Sequence, residues 1–311
     1  MTRQWLRQIS LTIGDDSEAL DVSELRIRFD VRHALISTPG YADITITNPG
    51  NAAVSKVLKE YSSLVLQAGY QDNVATIFQG EIVQKFSGRE NPTDTFLRII
   101  ATESAQAHWF ATVNKTLAAG HTVRDQLDTC LEALKPFGVT AGYIADLGNA
   151  AMPRGAALFG MVRDHLQAIA RTTDTSWHIR DGKLNIVPNR GAAPNEAIVL
   201  NSRTGLIGMP TRTFDGIEVR ALLNPQIRPG TLVKIDQASI QSIPLGVDIN
   251  SVVRNTQLPW TADDGLYKVL TVDCLGDTRG TEWYSDLVCI RADGQGPYPE
   301  NYTEIGVTLP V

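Results

Sequence analysis

The sequence predicts an α+β protein, mainly β, in which two β regions flank a small α/β insert. Three observations lead there. Apolar and polar residues alternate through the first hundred positions and again in the last third of the chain. Helical periodicity is confined to the middle. The two β regions also echo each other. At about 150 residues per domain, 311 residues suit two domains or three small ones. The expected boundaries are 1–105, 106–190 and 191–311.

In the first region, Leu25–Val31 sets Leu25, Ile27, Phe29 and Val31 against Arg26, Arg28 and Asp30, the pattern of a half-buried strand. Asp43–Thr47 repeats it, and Asn48-Pro49-Gly50-Asn51 stops the strand. Ala52–Tyr61 suits a short helix with Val54, Val57, Leu58 and Tyr61 on one face. Strands are expected at Ser63–Ala68, Thr76–Phe86 and Thr95–Ala101, with a turn at Gly69–Asn73 and a loop at Ser87–Pro92.

In the insert, Thr122 precedes a helix as N-cap, with Asp125 three residues on. Val123, Leu127, Cys130, Leu131 and Leu134 form its apolar stripe, and Pro136 with Gly138 ends it. Gly148–Gly160 is read as a loop before a second helix carrying Val162, Leu166, Ile169 and Ala170. Asp181-Gly182 then supplies a two-residue hairpin turn. It sets Ile179 against Leu184, Trp177 against Ile186 and His178 against Asn185. Pro188–Pro194 is read as a connecting loop.

In the last region, Phe214–Leu222, Gly230–Asp236, Leu266–Cys274 and Trp283–Arg291 are the strand candidates, and the tail beyond Asp293 is expected to be extended. Ser63–Gln67 before its hairpin matches Thr231–Ile235 before another. The second copy then carries an insertion of about 20 residues, placed at Ser239–Trp260, longer than an ordinary loop. Apolar residues on both faces of Leu266–Val272 and Trp283–Ile290 call for a covering helix or a neighbour on the second face.

Composition excludes several function classes. Lys+Arg is 28 and Asp+Glu is 34, for a net charge of -6, and there is no dense basic block, which argues against tight nucleic-acid binding. No stretch reaches 18 consecutive apolar residues, so no membrane span is expected. Cys130, Cys274 and Cys289 give no disulfide framework. With a turn at Gly276–Gly280, Cys274 lies opposite about Glu282 and Cys289 opposite about Tyr267, too far apart to bond. A reducing cytoplasm suits such a chain.

Candidate chemistry is sparse. His33, His108, His121, His165 and His178 stand in no zinc-binding spacing. No serine elbow or thiol signature is present. Asp15-Asp16, Asp263-Asp264 and Glu81 are carboxylates a lytic enzyme could use, but the aspartate pairs read as turns. Asp277-Thr278-Arg279-Gly280 reads as a turn with a local Asp–Arg pair. Gly155 and Gly160 before a helix lack the Lys-Ser/Thr of a phosphate loop. No catalytic, cofactor-binding or metal-ligating residue is expected, and no cofactor.

Four segments together resemble the baseplate hub proteins of contractile-tailed bacteriophages. They are Gly69-Tyr70 with Ile77–Ile82, Trp177–Pro188, Thr204–Pro210 leading through Gly216 to Leu222–Pro225 and Pro229-Gly230, and Gly276–Trp283. The resemblance covers about residues 60–292. It implies two tail-tube-like β domains, of barrel or sandwich form, around the insert. It further implies a homotrimeric ring joining the tail tube, or a tube-initiator protein, and the tape-measure end to the central spike protein. DNA would pass through the lumen without specific binding, past a neutral to acidic wall for which Thr76–Phe86 and Lys268–Cys274 are candidates. The expected location is the virion tail baseplate, assembled in the host cytoplasm, without membrane insertion. Readings from other classes are a hub of a bacterial contractile injection machine, a tail-associated cell-wall hydrolase, and a carbohydrate-binding adhesin.

Overall fold

The computed structural model describes residues 6–15, 18–189, 196–213, 216–242 and 261–293. Asp16, most of the Pro188–Pro194 loop, Phe214, most of the Ser239–Trp260 insertion and the tail beyond Asp293 lie outside the described residues.

The first β region comprises β1 (Arg7–Gly14), β2 (Ala19–Asp21), β3 (Arg26–Ala34), β4 (Tyr41–Thr47), α1 (Asn51–Lys59), β5 (Ser63–Tyr70), β6 (Asn73–Arg89) and β7 (Thr95–Thr102). The alternation in Leu25–Val31 produces the strand it predicts, with Ile27, Phe29 and Val31 buried and Arg26 exposed. The turn after β5 is tighter than the sequence suggests, since Tyr70 pairs directly with Asn73. β1 lies outside the segments whose alternation predicts a strand. Its Leu11 and Ile13 point into the core while Arg7 to Ile9 stay more exposed, so only its second half alternates.

The insert holds α2 (Ala105–Phe110), β8 (Thr112–Leu117), α3 (Val123–Leu134), β9 (Thr140–Ile144), β10 (Ala156–Met161), α4 (Val162–Thr173), β11 (Thr175–Arg180) and β12 (Lys183–Pro188). α3 opens with a full capping box between Thr122 and Asp125. The β11–β12 hairpin has the predicted pairs Ile179–Leu184, Trp177–Ile186 and His178–Asn185. The Gly148–Gly160 segment is not all loop. Its last residues form β10, which finds its partner in β8 some forty positions back. The insert has a core of its own, built on Leu127, Cys130, Leu166, Leu184 and Ile186.

The last region contributes β13 (Ile198–Leu200), β14 (Leu206–Thr213), β15 (Gly216–Leu222), β16 (Leu232–Ile235), β17 (Gln241–Ser242), β18 (Leu266–Asp277) and β19 (Trp283–Arg291). Both β regions join one 14-stranded sheet, open among the described residues, and share one hydrophobic core. The join is the antiparallel pair β3–β18, running from Ala34 opposite Thr271 to Arg28 opposite Asp277. Gly276 is demanded there. A Cβ on it would lie 2.3 Å from the Phe29 ring.

The internal echo is a repeat of topology. Along the sheet the first region runs β3-β4-β7-β6-β5, and the last runs β14-β15-β19-β18, with β16 on the far side of β18. Counted in chain order within each copy, with the short β17 left out, both read first, second, fifth, fourth, third. Tyr41–Thr47 and Gly216–Leu222 correspond, each burying alternate residues. Both long hairpins slip register at the matching place, leaving Val83 extra in β6 and Leu270 extra in β18. The register of the echo differs from the one read in the sequence. Leu64 corresponds to Val233, and Gly80 to Tyr267, slips of one and two residues. Side-chain similarity misplaced it because short apolar runs match at several offsets.

Candidate functional site

Two regions carry interactions beyond ordinary packing: the joint between insert and sheet, and the solvent face of the sheet.

The joint is built around Glu103, 3% exposed at the end of β7. Glu103 faces His33 Nδ1 at 3.5 Å and Arg180 Nε at 4.0 Å. His33 Nε2 lies 2.8 Å from the Ile77 carbonyl, and the Glu103 N–H donates to the Gly40 carbonyl at 2.9 Å. Gly40 must be small, because a Cβ there would sit 2.6 Å from His33 Nδ1 and 2.8 Å from Glu103 Oε2. His178 is buried beside them. Burial, helped by the Arg180 and His33 charges, pushes its imidazole down to about 3, so it is neutral. Arg180 is lowered by burial too, against the opposing pull of Glu103.

A second clamp lies where β12 leaves the insert. Lys268 is fully buried, and its Nζ donates to the Pro188 carbonyl at 3.0 Å and the Asn189 carbonyl at 2.8 Å. Burial pushes its ammonium down to about 8. Next to it, Leu35, Val187, Leu270 and Ile290 form a small cluster. This covers the second apolar face of β18 and β19 at Leu270 and Ile290. The cover at these two residues comes from Leu35 and from Val187 of the insert's hairpin strand rather than from a helix. Arg228 adds a third tie, bonding Asp181 at 2.7 Å and the Thr76 carbonyl at 3.2 Å. An open cavity of about 280 Å³ lies between these groups, lined by Tyr143, His178, Arg180 and Arg228 among others.

The remaining candidates resolve into local structure. Asp15 and Asp264 accept backbone N–H groups of Glu18 and Leu266, as turn aspartates do. Glu81 accepts the Gln106 N–H at 3.1 Å in the first turn of α2. Asp277 forms its ion pair with Arg26 at 2.6 Å; Arg279 gives it only a backbone N–H, at 2.9 Å, and its guanidinium reaches the Glu24 carbonyl. That correction needs the β3–β18 pairing, which no local pattern encodes. His121 bonds the Ala118 carbonyl and Gln126, and His108 stacks on Trp177. Cys274 faces Ser285 rather than Glu282, Cys289 faces Val269 rather than Tyr267, and all three thiols are free and buried. Among the described residues no three His, Cys, Asp or Glu side chains gather to hold a metal ion, and no helix is long and apolar enough to cross a membrane.

Exposed apolar residues include two groups. Phe110 and Phe159, 67% and 77% exposed, lie at the β8–β10 ribbon of the insert. Val83, Phe86, Ile207 and Met209 lie on β6 and β14. The solvent face of the sheet between those strands carries cross-strand ion pairs: Arg32 with Asp273, Arg98 with Asp43, and Arg220 with Asp286.

An open, duplicated sheet with a small insert clamped on one side defines a tail-hub fold. Two bacterial tail proteins share it. The prophage MuSo2 43 kDa tail protein from Shewanella oneidensis matches with a TM-score of 0.58 at 9% identity, over 94% of this chain and 99% of that one. The tail protein from Neisseria meningitidis MC58 matches with a TM-score of 0.59 at 11% identity, over 94% of this chain and 100% of that one. A type VI secretion component of E. coli, c3393, described as structurally similar to T4 bacteriophage tail proteins gp27 and gp5, gives 0.54 at 12% identity, over 93% of this chain and 79% of that one. No curated protein matches in sequence. The family model "Baseplate hub gp41" matches residues 8–240, and the chain belongs to that family. Its role is that of a structural hub of the tail baseplate, as the four sequence segments implied.

Proposed function

We propose that this chain forms a threefold ring at the tail tip, joining the tail tube or its initiator and the tape-measure end to the central spike. The observation that carries the proposal is the repeated five-strand order. One chain supplies two equivalent β modules, so three chains supply six and can meet a sixfold tube on one side and a threefold spike on the other. The division into modules at 1–105 and 191–311 around an insert at 106–190 belongs to this reading. The ring needs no catalytic residue, metal or cofactor, and its assembly belongs in the host cytoplasm, where buried thiols stay reduced. Electron microscopy of purified tails tests it. Threefold density for this chain at the tip is the expected result, and one or six copies would overturn it.

The wall of the channel follows from the same reading. A polyanion slides where cations are already paired, because free Lys and Arg would grip phosphate and release counterions. The pairs Arg32–Asp273, Arg98–Asp43 and Arg220–Asp286 on the sheet's solvent face support a neutral wall.

A second reading, a hub of a bacterial contractile injection machine, is favoured by the shared fold of the type VI secretion component. Neighbouring capsid genes separate the two readings. A cell-wall hydrolase is tested by zymography with the purified chain, where no clearing is expected.

A further inference from the structure

We propose that the cavity between the insert's hairpin and the sheet is a binding site for a phosphate-class oxyanion, which ties the insert to the sheet. The proposal stands apart from the ring reading and does not need it.

Alternation in the hairpin builds the site. Trp177, Ile179, Leu184 and Ile186 belong to the core of the insert. Successive strand residues point to opposite faces, so His178, Arg180, Lys183 and Asn185 share the other face. That face lines the open cavity of about 280 Å³, together with Tyr143 of β9 and Arg228 from the loop before β16. The register sets Arg180 directly opposite Lys183. Like charges opposite each other in an antiparallel pair destabilise it. Asp181 is the one carboxylate of the lining, and it is already committed to Arg228 at 2.7 Å. The lining therefore holds three cations, Arg180, Lys183 and Arg228, against one carboxylate.

Buried donors in this lining lack acceptors. Arg180 and His178 are 9% and 8% exposed. Arg180 Nε and His178 Nδ1 are buried without a hydrogen-bond partner among the described residues. Glu103 lies 4.0 Å from Arg180 Nε, beyond hydrogen-bonding range. Buried polar atoms cost free energy unless something accepts from them, and an ion or water is the usual answer where the protein offers nothing.

Charge chooses between the two. Water accepts from both side chains but brings no negative charge to a lining with a surplus of positive charge. An oxyanion brings both. A guanidinium fork matches its oxygens two at a time, and an imidazole donates through the nitrogen that carries its proton. The cavity is several times the roughly 30 Å³ share of one water, so it admits such an ion with water beside it. The donors converge from β11, β12 and the loop before β16. Three directions suit the several oxygens of a phosphate better than the two of a carboxylate. An ion held this way touches the insert on one side and the sheet on the other.

Equilibrium dialysis of the full-length chain against labelled inorganic phosphate, at constant ionic strength, is the test. One phosphate per chain is expected. Lys183→Ala, an exposed position at the cavity mouth, should weaken binding about tenfold, the loss of one charge-assisted hydrogen bond. Arg180→Gln should abolish binding, and if that variant does not fold, Lys183→Ala decides. Lys59→Ala, at the exposed end of α1, should bind as wild type does. The thermal midpoint of wild type should rise with the logarithm of phosphate concentration, and less so for Lys183→Ala, beyond the general salt effect that both share. No bound phosphate means a cavity filled by water. Binding that Lys183→Ala leaves unchanged means an ion held elsewhere. Displacement of the label by acetate at equal concentration means a carboxylate site. Each of these three results overturns the proposal.

Discussion

Glu103 shows how much one buried side chain can hold. It faces His33 from β3 and Arg180 from the insert, so it ties the insert to the sheet. Breaking a buried ion pair by removing one partner leaves an uncompensated charge, at a cost of about 3–5 kcal/mol. Glu103→Ala should lower stability by that order in urea unfolding. Gly40→Ala should act on the same group by crowding, at about 1–3 kcal/mol. His178 adds a pH dependence. Its folded pKa of about 3 lies below the ordinary 6.5, so the unfolded chain binds a proton that the folded chain refuses. Stability should fall as pH drops from about 6.5 toward 3. Asp273, raised by burial to about 6, opposes it between about 4 and 6 with a smaller shift. Unfolding midpoints of wild type and His178→Gln across that range isolate the histidine, and a variant with an unchanged slope would contradict the assignment. Lys268 acts at the other end. Its folded pKa of about 8 against 10.5 makes stability rise with pH across that window.

At the scale of elements, the insert depends on local signals that act before any tertiary contact. Thr122 and Asp125 close the capping box of α3, with the Asp125 N–H donating to the Thr122 hydroxyl at 3.2 Å. Thr122→Ala should cost about 1 kcal/mol, read as a lower thermal midpoint. The β11–β12 turn places Asp181 at φ 48° and Gly182 at φ 66°, as a two-residue hairpin turn requires. Elements of the large sheet lack such self-sufficiency. β18 finds β19 across its own hairpin turn but takes β16 and β3 from farther parts of the chain.

For the whole molecule, charge and symmetry decide behaviour. A net charge of -6 spread among paired side chains argues against tight capture of DNA. Binding of duplex DNA at physiological salt should be weak, with a shallow salt dependence in filter binding. Tight binding with a steep salt slope would contradict the neutral channel wall proposed above. The duplicated strand order predicts that the two β regions superpose on their five-strand cores in an experimental structure, with Val83 falling on Leu270.

The sequence by itself determined what depends on near neighbours. Alternation set β3 and β4, helical spacing set α3 and α4, and Asp181-Gly182 set its hairpin to the residue. These signals lie within one element, where steric preference and side-chain period act directly. It also revealed that the two β regions echo, and four motif segments in order revealed the family. The tertiary structure alone decided the register of the echo, because an apolar pair such as Leu64 and Val65 fits its counterpart equally well one residue away. It alone decided that Asp277 pairs with Arg26 rather than Arg279, and that His33, Glu103, His178 and Arg180 meet. Those residues are separated by up to 147 positions, and nothing local links them. Their meeting is fixed by the β3–β18 seam and by the insert folding back onto it. Long-range pairing is selected by burial of the whole sheet face, an energy no single segment contains.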